Sequence, residues 1–368
     1  MGQNQKYIHL SRPTMGDEEL NAVKAVFDSK FLTEGVVTKK FEEEFAKSVG
    51  AKYAVAVPNC TIALELALRV LNIGPGDEVV MPDFTYPATA EAVMLVGADS
   101  ILVDVDVKSR NVTLEAIKEA ITPKIKAIMP VSWGGNPLDK EIYDFAKNAG
   151  IPLIEDAACS LGSELDGCKV GSLADLTCFS LHPRKVITTG EGGMITTDNL
   201  ILYNKMHSFK HFGMEEGRFV TLGSNYKFSN ILGAIGLEQL KKLEKIVTGR
   251  IEKAFSYNQL LKEKGYLTIP YVSEGNKHNF QSYTVLLKEN GIRDSVISYL
   301  HSEGIESQIG TFALHTQPAF ANLKNMGGLT NSSLLFNNLL SLPLHGELTL
   351  DDQKRVCGCL DDFFNKTD

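Results

Sequence analysis

The sequence has no block of basic residues and no long apolar run. Among its 368 residues, 37 Lys and Arg stand against 45 Asp and Glu, a formal net charge of −8. Without a basic patch there is no electrostatic footprint for nucleic acid. No apolar stretch is long enough to span a bilayer, so no membrane contact is expected. The opening MGQNQKYIHL lacks the apolar core of a signal peptide. Cysteine is sparse and scattered, at 60, 159, 168, 178, 357 and 359, mostly in apolar strand or helix contexts. That pattern fits reduced thiols in a cytoplasmic protein better than a disulfide framework. Cys357-x-Cys359 has no matching His or Cys pair, so no metal site is expected. Repeats and low-complexity tracts are absent too. What is left is ordinary globular composition, 43% hydrophobic and 22% charged, with room for one large and one small domain.

What is present is an alternation. After helical spacing over Gly16–Ser29 and from about Lys39 to Val49, short apolar strands alternate with helices. The spacing predicts strands at Tyr53–Val57, Glu78–Met81, Ser100–Val103, Ala127–Val131 and Pro152–Ile154. It predicts helices at Thr61–Leu71, Ala88–Val96, Leu114–Ile121 and Lys140–Ala149. Continuously apolar strands separated by helices indicate an α/β fold, a mostly parallel central sheet covered on both faces. Helical patterns return at Asn230–Leu243 and Arg250–Lys264, and the alternation beyond is less regular. The chain therefore divides into a large domain over 1–249 and a smaller C-terminal α+β domain over 250–368.

In an open α/β sheet, ligands gather at the carboxyl ends of the strands. Four features fall there. Pro58-Asn59-Cys60-Thr61 opens a helix, whose free N–H groups and positive dipole end suit a phosphate. Tyr86, after Asp83-Phe84-Thr85, is an aromatic at the sheet edge that can stack on a flat heterocycle. Glu155 and Asp156 lead into the small residues Ala157, Ala158, Cys159 and Ser160. One buried carboxylate there can pair with a cationic ring nitrogen. Lys185 sits in a Pro-containing turn between the strand Cys178–Leu181 and a Gly-rich hairpin to Met194–Thr196. Burial of such a lysine is expected to lower its pKa from about 10.4 and free the amine as a nucleophile. Each feature alone has an ordinary explanation as an N-cap, a packed aromatic or a surface lysine. Together they supply the parts of a pyridoxal phosphate (PLP) site.

At this point the chain resembles the DegT/StrS-type nucleotide-sugar aminotransferases of the fold type I (aspartate aminotransferase) superfamily. The motifs run in order along almost its whole length. They include FLTEG near 31, PNCTIALELAL at 58–68, GPGDEVVMPDFTYPATA at 74–90, IEDAACSLGS at 154–163, FSLHPRKVITTGEGGMITTD at 179–198 and LGSNYKFSNILGAIGLEQL at 222–240. The resemblance implies that Lys185 forms the internal aldimine with PLP and shuttles the proton afterwards. It implies that Asp156 pairs with the pyridine nitrogen, that Tyr86 and Ala158 face the two sides of the ring, and that Cys60, Thr61 and Ser180 hold the phosphate. Asn225 would reach the phosphate of a neighbouring subunit, making the functional unit a homodimer with shared sites. Three positions depart from the family pattern: Cys60 replaces a glycine, Cys159 stands where Gln, His or Glu is usual beside the ring hydroxyl, and Lys227 stands where Arg is usual. His182 is read as ordering the turn.

The function this implies is ping-pong transfer of an amino group, from L-glutamate as the expected donor, to a keto group of a nucleotide-linked sugar. Two alternatives stand beside it: a PLP-dependent nucleotide-sugar dehydratase, whose branch carries histidine in place of the lysine, and a non-enzymatic PLP-binding or regulatory protein.

Overall fold

The structure, a computed structural model, describes residues 6–367. Its organising element is a twisted sheet built from β1 (Tyr53–Val57), β2 (Glu78–Pro82), β3 (Asp99–Val103), β4 (Ile125–Ile128), β5 (Ile154–Asp156), β6 (Leu176–Ser180) and β7 (Gly193–Thr197). Across the sheet the order is β1-β7-β6-β5-β4-β2-β3, with the two-residue strand Lys324–Asn325 pairing parallel to β3 beyond it. The step from β5 to β4 is made by the parallel bridges Ile128 to Leu153 and Val131 to Asp156. Every pairing is parallel except those of β7, which runs antiparallel to both β1 and β6. The mostly parallel, helix-covered sheet expected from the alternation is therefore present. Its single reversed strand follows a connection, residues 181–192, that holds Lys185 and forms turns instead of a crossover helix.

The strands are buried on both faces. Val55, Val57, Val79, Met81, Leu102 and Ile195 pack on one side against the helix Cys60–Val70 and its neighbours. Val80, Ile101, Val103 and Ile128 pack on the other. This is why each strand reads as a continuous apolar run rather than an alternating one.

Two helices expected at Asn230–Leu243 and Arg250–Lys264 are one helix, Asn230–Leu261. The Thr248-Gly249 pair suggests a break, but tertiary contacts override that weak propensity. Val247 is fully buried, and Arg250 donates from Nε to the Phe280 carbonyl at 2.9 Å and from a terminal nitrogen to the Gln281 carbonyl at 2.6 Å. The expected boundary at 249/250 lies inside this helix. Its first half packs closely on the helix Val36–Val49: a Cβ at Gly236 would sit 2.4 Å from the Phe41 ring, so only glycine permits that approach. Its second half contributes Ala254, Tyr257 and Leu261 to a separate core with Val285, Leu300, Leu340 and Leu360. That core surrounds an antiparallel sheet containing Tyr283–Leu287 and Leu339–Leu342. Two elements absent from the expectation are the helices Leu200–Lys210 and Thr330–Asn338.

Among the described residues, no helix is long and apolar enough to cross a membrane. All six cysteines are free thiols.

Candidate active site

The carboxyl ends of β1, β2, β5 and β6 open onto one cavity of about 530 Å³. Asp156 ends β5 itself rather than following it. Its N–H donates to the Pro130 carbonyl at 2.9 Å, and its own carbonyl accepts from the Ser132 N–H at 3.1 Å. Because side chains alternate along a strand, Glu155 and Asp156 face opposite ways. Asp156 enters the cavity, where Oδ2 accepts from the Thr89 hydroxyl at 2.8 Å and Oδ1 accepts from the Ala158 N–H at 3.1 Å. Burial raises its pKa, and those two donors and the charge of Lys185 only partly offset the rise. Glu155 points away, into a pocket where it accepts from the Ser132 hydroxyl at 2.5 Å and the Tyr143 hydroxyl at 2.9 Å. Burial, reinforced by neighbouring Asp156, pushes it up to about 7. A carboxyl whose folded pKa lies above its unfolded value near 4.5 is ionised more easily unfolded. Its contribution to stability is intact below about pH 4.5 and is lost as pH rises to about 7. Glu155→Gln is accordingly expected to flatten the fall in melting temperature over that interval, as a series of thermal scans at stepped pH will read.

Lys185 is placed by a tight turn. Its N–H donates to the His182 carbonyl at 2.9 Å, and His182 Nδ1 accepts the Arg184 N–H at 3.2 Å. His182 also lines the cavity. The Lys185 amine lies 3.2 Å from Cys159 Sγ. Here an expectation is corrected. Burial does pull the amine down, but the hydrogen bond to Cys159 and the charge of Asp156 outweigh it, and Lys185 sits above its ordinary value.

The helix Cys60–Val70 points its N-terminus at the same space. Asn59 caps it, accepting the Ile62 N–H at 2.9 Å, and its carbonyl takes the Ala63 N–H at 3.1 Å. Cys60 and Thr61, in the first turn, have no intrahelical acceptor for their N–H groups. Burial holds the Cys60 thiol well above its usual range, so it stays neutral beside any anion. The cradle is tight at Gly193, where a Cβ would stand 2.4 Å from the Asn59 carbonyl oxygen and 2.9 Å from the Cys60 nitrogen. Gly193→Ala must displace that helix start. The expected result is a loss of roughly 1–3 kcal/mol of stability together with weaker retention of a phosphate ligand, checked by thermal denaturation and equilibrium dialysis of PLP.

Of the residues singled out from the sequence, Lys185, Asp156, Tyr86, Cys60, Thr61, Ala158 and Cys159 all line this cavity. Ser180 and Asn225 are not in its wall. Ser180 is half-buried at the end of β6, its hydroxyl accepting the His182 N–H at 3.4 Å. Asn225 is exposed and bridges to His211. Thr89, which holds Asp156, was missed, because a threonine in an apolar helix gives no local signal. Another cluster was also missed. The buried Lys210 amine lies 3.0 Å from Glu34 and 3.1 Å from Glu42, and His211 Nε2 lies 3.2 Å from the same Glu34 oxygen. Burial opposes ionisation of Glu34, yet His211, Lys210 and the Phe228 N–H hold it down at about 2. Glu34, His207 and His211 lie within metal-ligating reach of one another, but the ammonium of Lys210 is already seated on the carboxylate.

The cavity thus meets the needs of PLP: an amine for its aldehyde, a carboxylate with two fixed donors for its ring nitrogen, a helix N-terminus for its phosphate, and Tyr86 and Ala158 in the walls.

Comparison with known proteins agrees. The model of the DegT/DnrJ/EryC1/StrS aminotransferase family matches residues 13–361. The GDP-perosamine synthase of Caulobacter vibrioides is 38% identical over 362 residues, covering 96% of this chain and 97% of that protein. The aminotransferase TlmJ from Streptoalloteichus hindustanus superposes with a TM-score of 0.93 at 31% identity, over 98% of this chain and 99% of that one. A GDP-4-keto-6-deoxymannose-3-dehydratase mutant (ColD) with bound GDP-perosamine superposes with a TM-score of 0.90 at 28% identity, over 96% and 100%. Other solved neighbours are in PLP and PMP forms.

Proposed function

Since the chain belongs to the DegT/DnrJ/EryC1/StrS aminotransferase family and uses PLP, we propose that it moves an amino group from L-glutamate to a keto group of a nucleotide-linked sugar in two alternating half-reactions. The observation that carries this reading is the placement of the Lys185 amine and the Asp156 carboxylate in one cavity with the N-terminus of the helix Cys60–Val70. PLP bound there supplies an electron sink that lets a C–H bond beside nitrogen ionise. Lys185 Nζ holds and returns the proton in both halves. Asp156, oriented by Thr89 and the Ala158 N–H, holds the proton of the ring nitrogen. Cys60 and Thr61 would receive the phosphate, with Ser180 reaching it from the end of β6 outside the wall; Tyr86 and Ala158 would flank the ring, and Cys159 would stand by its hydroxyl.

The same reading makes the enzyme a homodimer in which Asn225 completes the partner's phosphate site. The exposed apolar residues Phe219, Val220 and Leu222 in the adjoining segment support it, since they need a cover. The division into a cofactor-binding domain over 1–249 and a small domain over 250–368 belongs to this proposal, supported by the separate core around Val285 and Leu340, while Leu314, Phe320 and Leu329 return to the core of the large domain. So does a cytoplasmic location, where the six free thiols persist. The dehydratase alternative is disfavoured by Lys185, because in the resemblance set out above that branch carries histidine there.

The test is direct. PLP-loaded protein is mixed with L-glutamate and the spectrum followed for conversion to the pyridoxamine form. The product is then offered a panel of nucleotide-linked keto-sugars, GDP-linked ones first in view of the GDP-perosamine synthase similarity. Failure of glutamate to convert the cofactor, or of every keto-sugar to reverse the conversion, rejects the proposal.

A further inference from the structure

Charged side chains are few in the cavity wall. Asp156, Lys185 and Arg184 are the ones that the described residues place there. Asp156 and Lys185 are committed to the cofactor. Arg184 has no such task, and among the described residues no carboxylate pairs with it. Its guanidinium instead donates to the neutral Gln308 amide oxygen at 3.3 Å. Its backbone is fixed: the carbonyl accepts from the Gln281 side-chain amide at 2.6 Å, and its N–H is held by His182. The backbone is therefore set while the exposed side chain keeps its freedom, one residue from the amine and beside Gln308 in the cavity wall.

Both substrates of the proposed reaction are anions, and the chain as a whole carries a net charge of −8, which repels them at a distance. A guanidinium without a carboxylate partner at the mouth of the site offers local attraction against that field. It presents a planar fork that matches carboxylate or phosphate oxygens two at a time, and the weak bond to Gln308 is easily exchanged for one to an oxyanion.

We infer that Arg184 is a substrate-binding residue that receives an oxyanion of the incoming substrate, either a carboxylate of the amino donor or the diphosphate of the nucleotide-sugar. The inference rests on the aminotransferase reading for the identity of those substrates, but not for the existence of the anion site.

Calorimetric titration of the PLP-loaded protein tests it with two unreactive probes. Glutarate carries the donor's carboxylates without an amine to react, and GDP carries the diphosphate without a sugar. The wild type is expected to bind at least one of them. Arg184→Gln is expected to weaken that binding roughly tenfold or more, with an unchanged melting temperature as the folding control. Arg184→Lys restores part of it, keeping the charge without the fork. A loss confined to glutarate assigns the carboxylate and one confined to GDP the diphosphate; either supports the inference. Equal affinity of the wild type and Arg184→Gln for both probes overturns it, as does a wild type that binds neither. Arg184-dependent binding with no spectral conversion by glutamate keeps the anion site and removes the aminotransferase reading.

Discussion

Replacing Lys185 with alanine is expected to lower turnover by at least about 10⁴-fold while leaving the fold in place. Among the described residues the amine makes one hydrogen bond, to Cys159 Sγ, and its removal takes a compensating charge from Asp156, which that buried carboxyl answers by taking up a proton. A stability change within about 1 kcal/mol follows. PLP still has the helix N-terminus and Asp156 to hold it, so equilibrium dialysis is expected to show weakened but measurable uptake. Lys185→Arg separates charge from proton transfer. Arginine keeps the cation but does not release a proton at accessible pH, and it is expected to be as inactive as alanine. Comparable turnover in either variant would remove Lys185 from the chemistry. In the empty protein the amine sits above its ordinary value because Cys159 and Asp156 outweigh burial. Only the unprotonated amine attacks a carbonyl, so the rate of PLP loading is expected to climb with pH through the neutral range.

How much of this was legible beforehand depends on the range of the interactions. The strand-helix alternation and the turn holding Lys185 are local patterns, and the sheet follows from them. The side chains named at the strand ends converge because an α/β sheet brings its carboxyl ends to one edge. What escaped the sequence is long-range. Thr89 gains meaning only from Asp156, 67 positions away. Lys210 reaches Glu42 across 168 positions, and nothing near either residue announces a buried ion pair. The helix Asn230–Leu261 is continuous because Arg250 is held by the Phe280 and Gln281 carbonyls, against the local preference at Thr248-Gly249. The direction of the Lys185 shift was misjudged for the same reason: its neighbours come from other strands and a helix start.

Asp156→Asn is expected to show opposite signs in the two states of the protein. In the empty protein Asp156 is a buried carboxyl whose pKa is raised by desolvation in spite of Thr89, the Ala158 N–H and Lys185. Such a group subtracts from stability once pH exceeds its unfolded value of 3.8, and the subtraction is complete above its folded value. Asparagine has nearly the same shape, and its carbonyl oxygen still accepts one of the two fixed hydrogen bonds, from Thr89 or the Ala158 N–H. The empty variant is therefore expected to melt at the same temperature as the wild type at neutral pH, or above it. With PLP bound, the balance reverses. An amide carries no charge to hold a proton on the ring nitrogen, and electron withdrawal through the ring weakens just where the reaction needs it. Turnover is expected to fall by on the order of 10³-fold, with the stabilisation that PLP gives the wild type largely lost. Asp156→Glu tests geometry separately, since its longer side chain keeps the charge but cannot meet Thr89 and the Ala158 N–H together at 2.8 and 3.1 Å. A variant carrying asparagine with wild-type turnover would show that the carboxylate serves only to pack the end of β5, and Thr89 would then have no part in catalysis either.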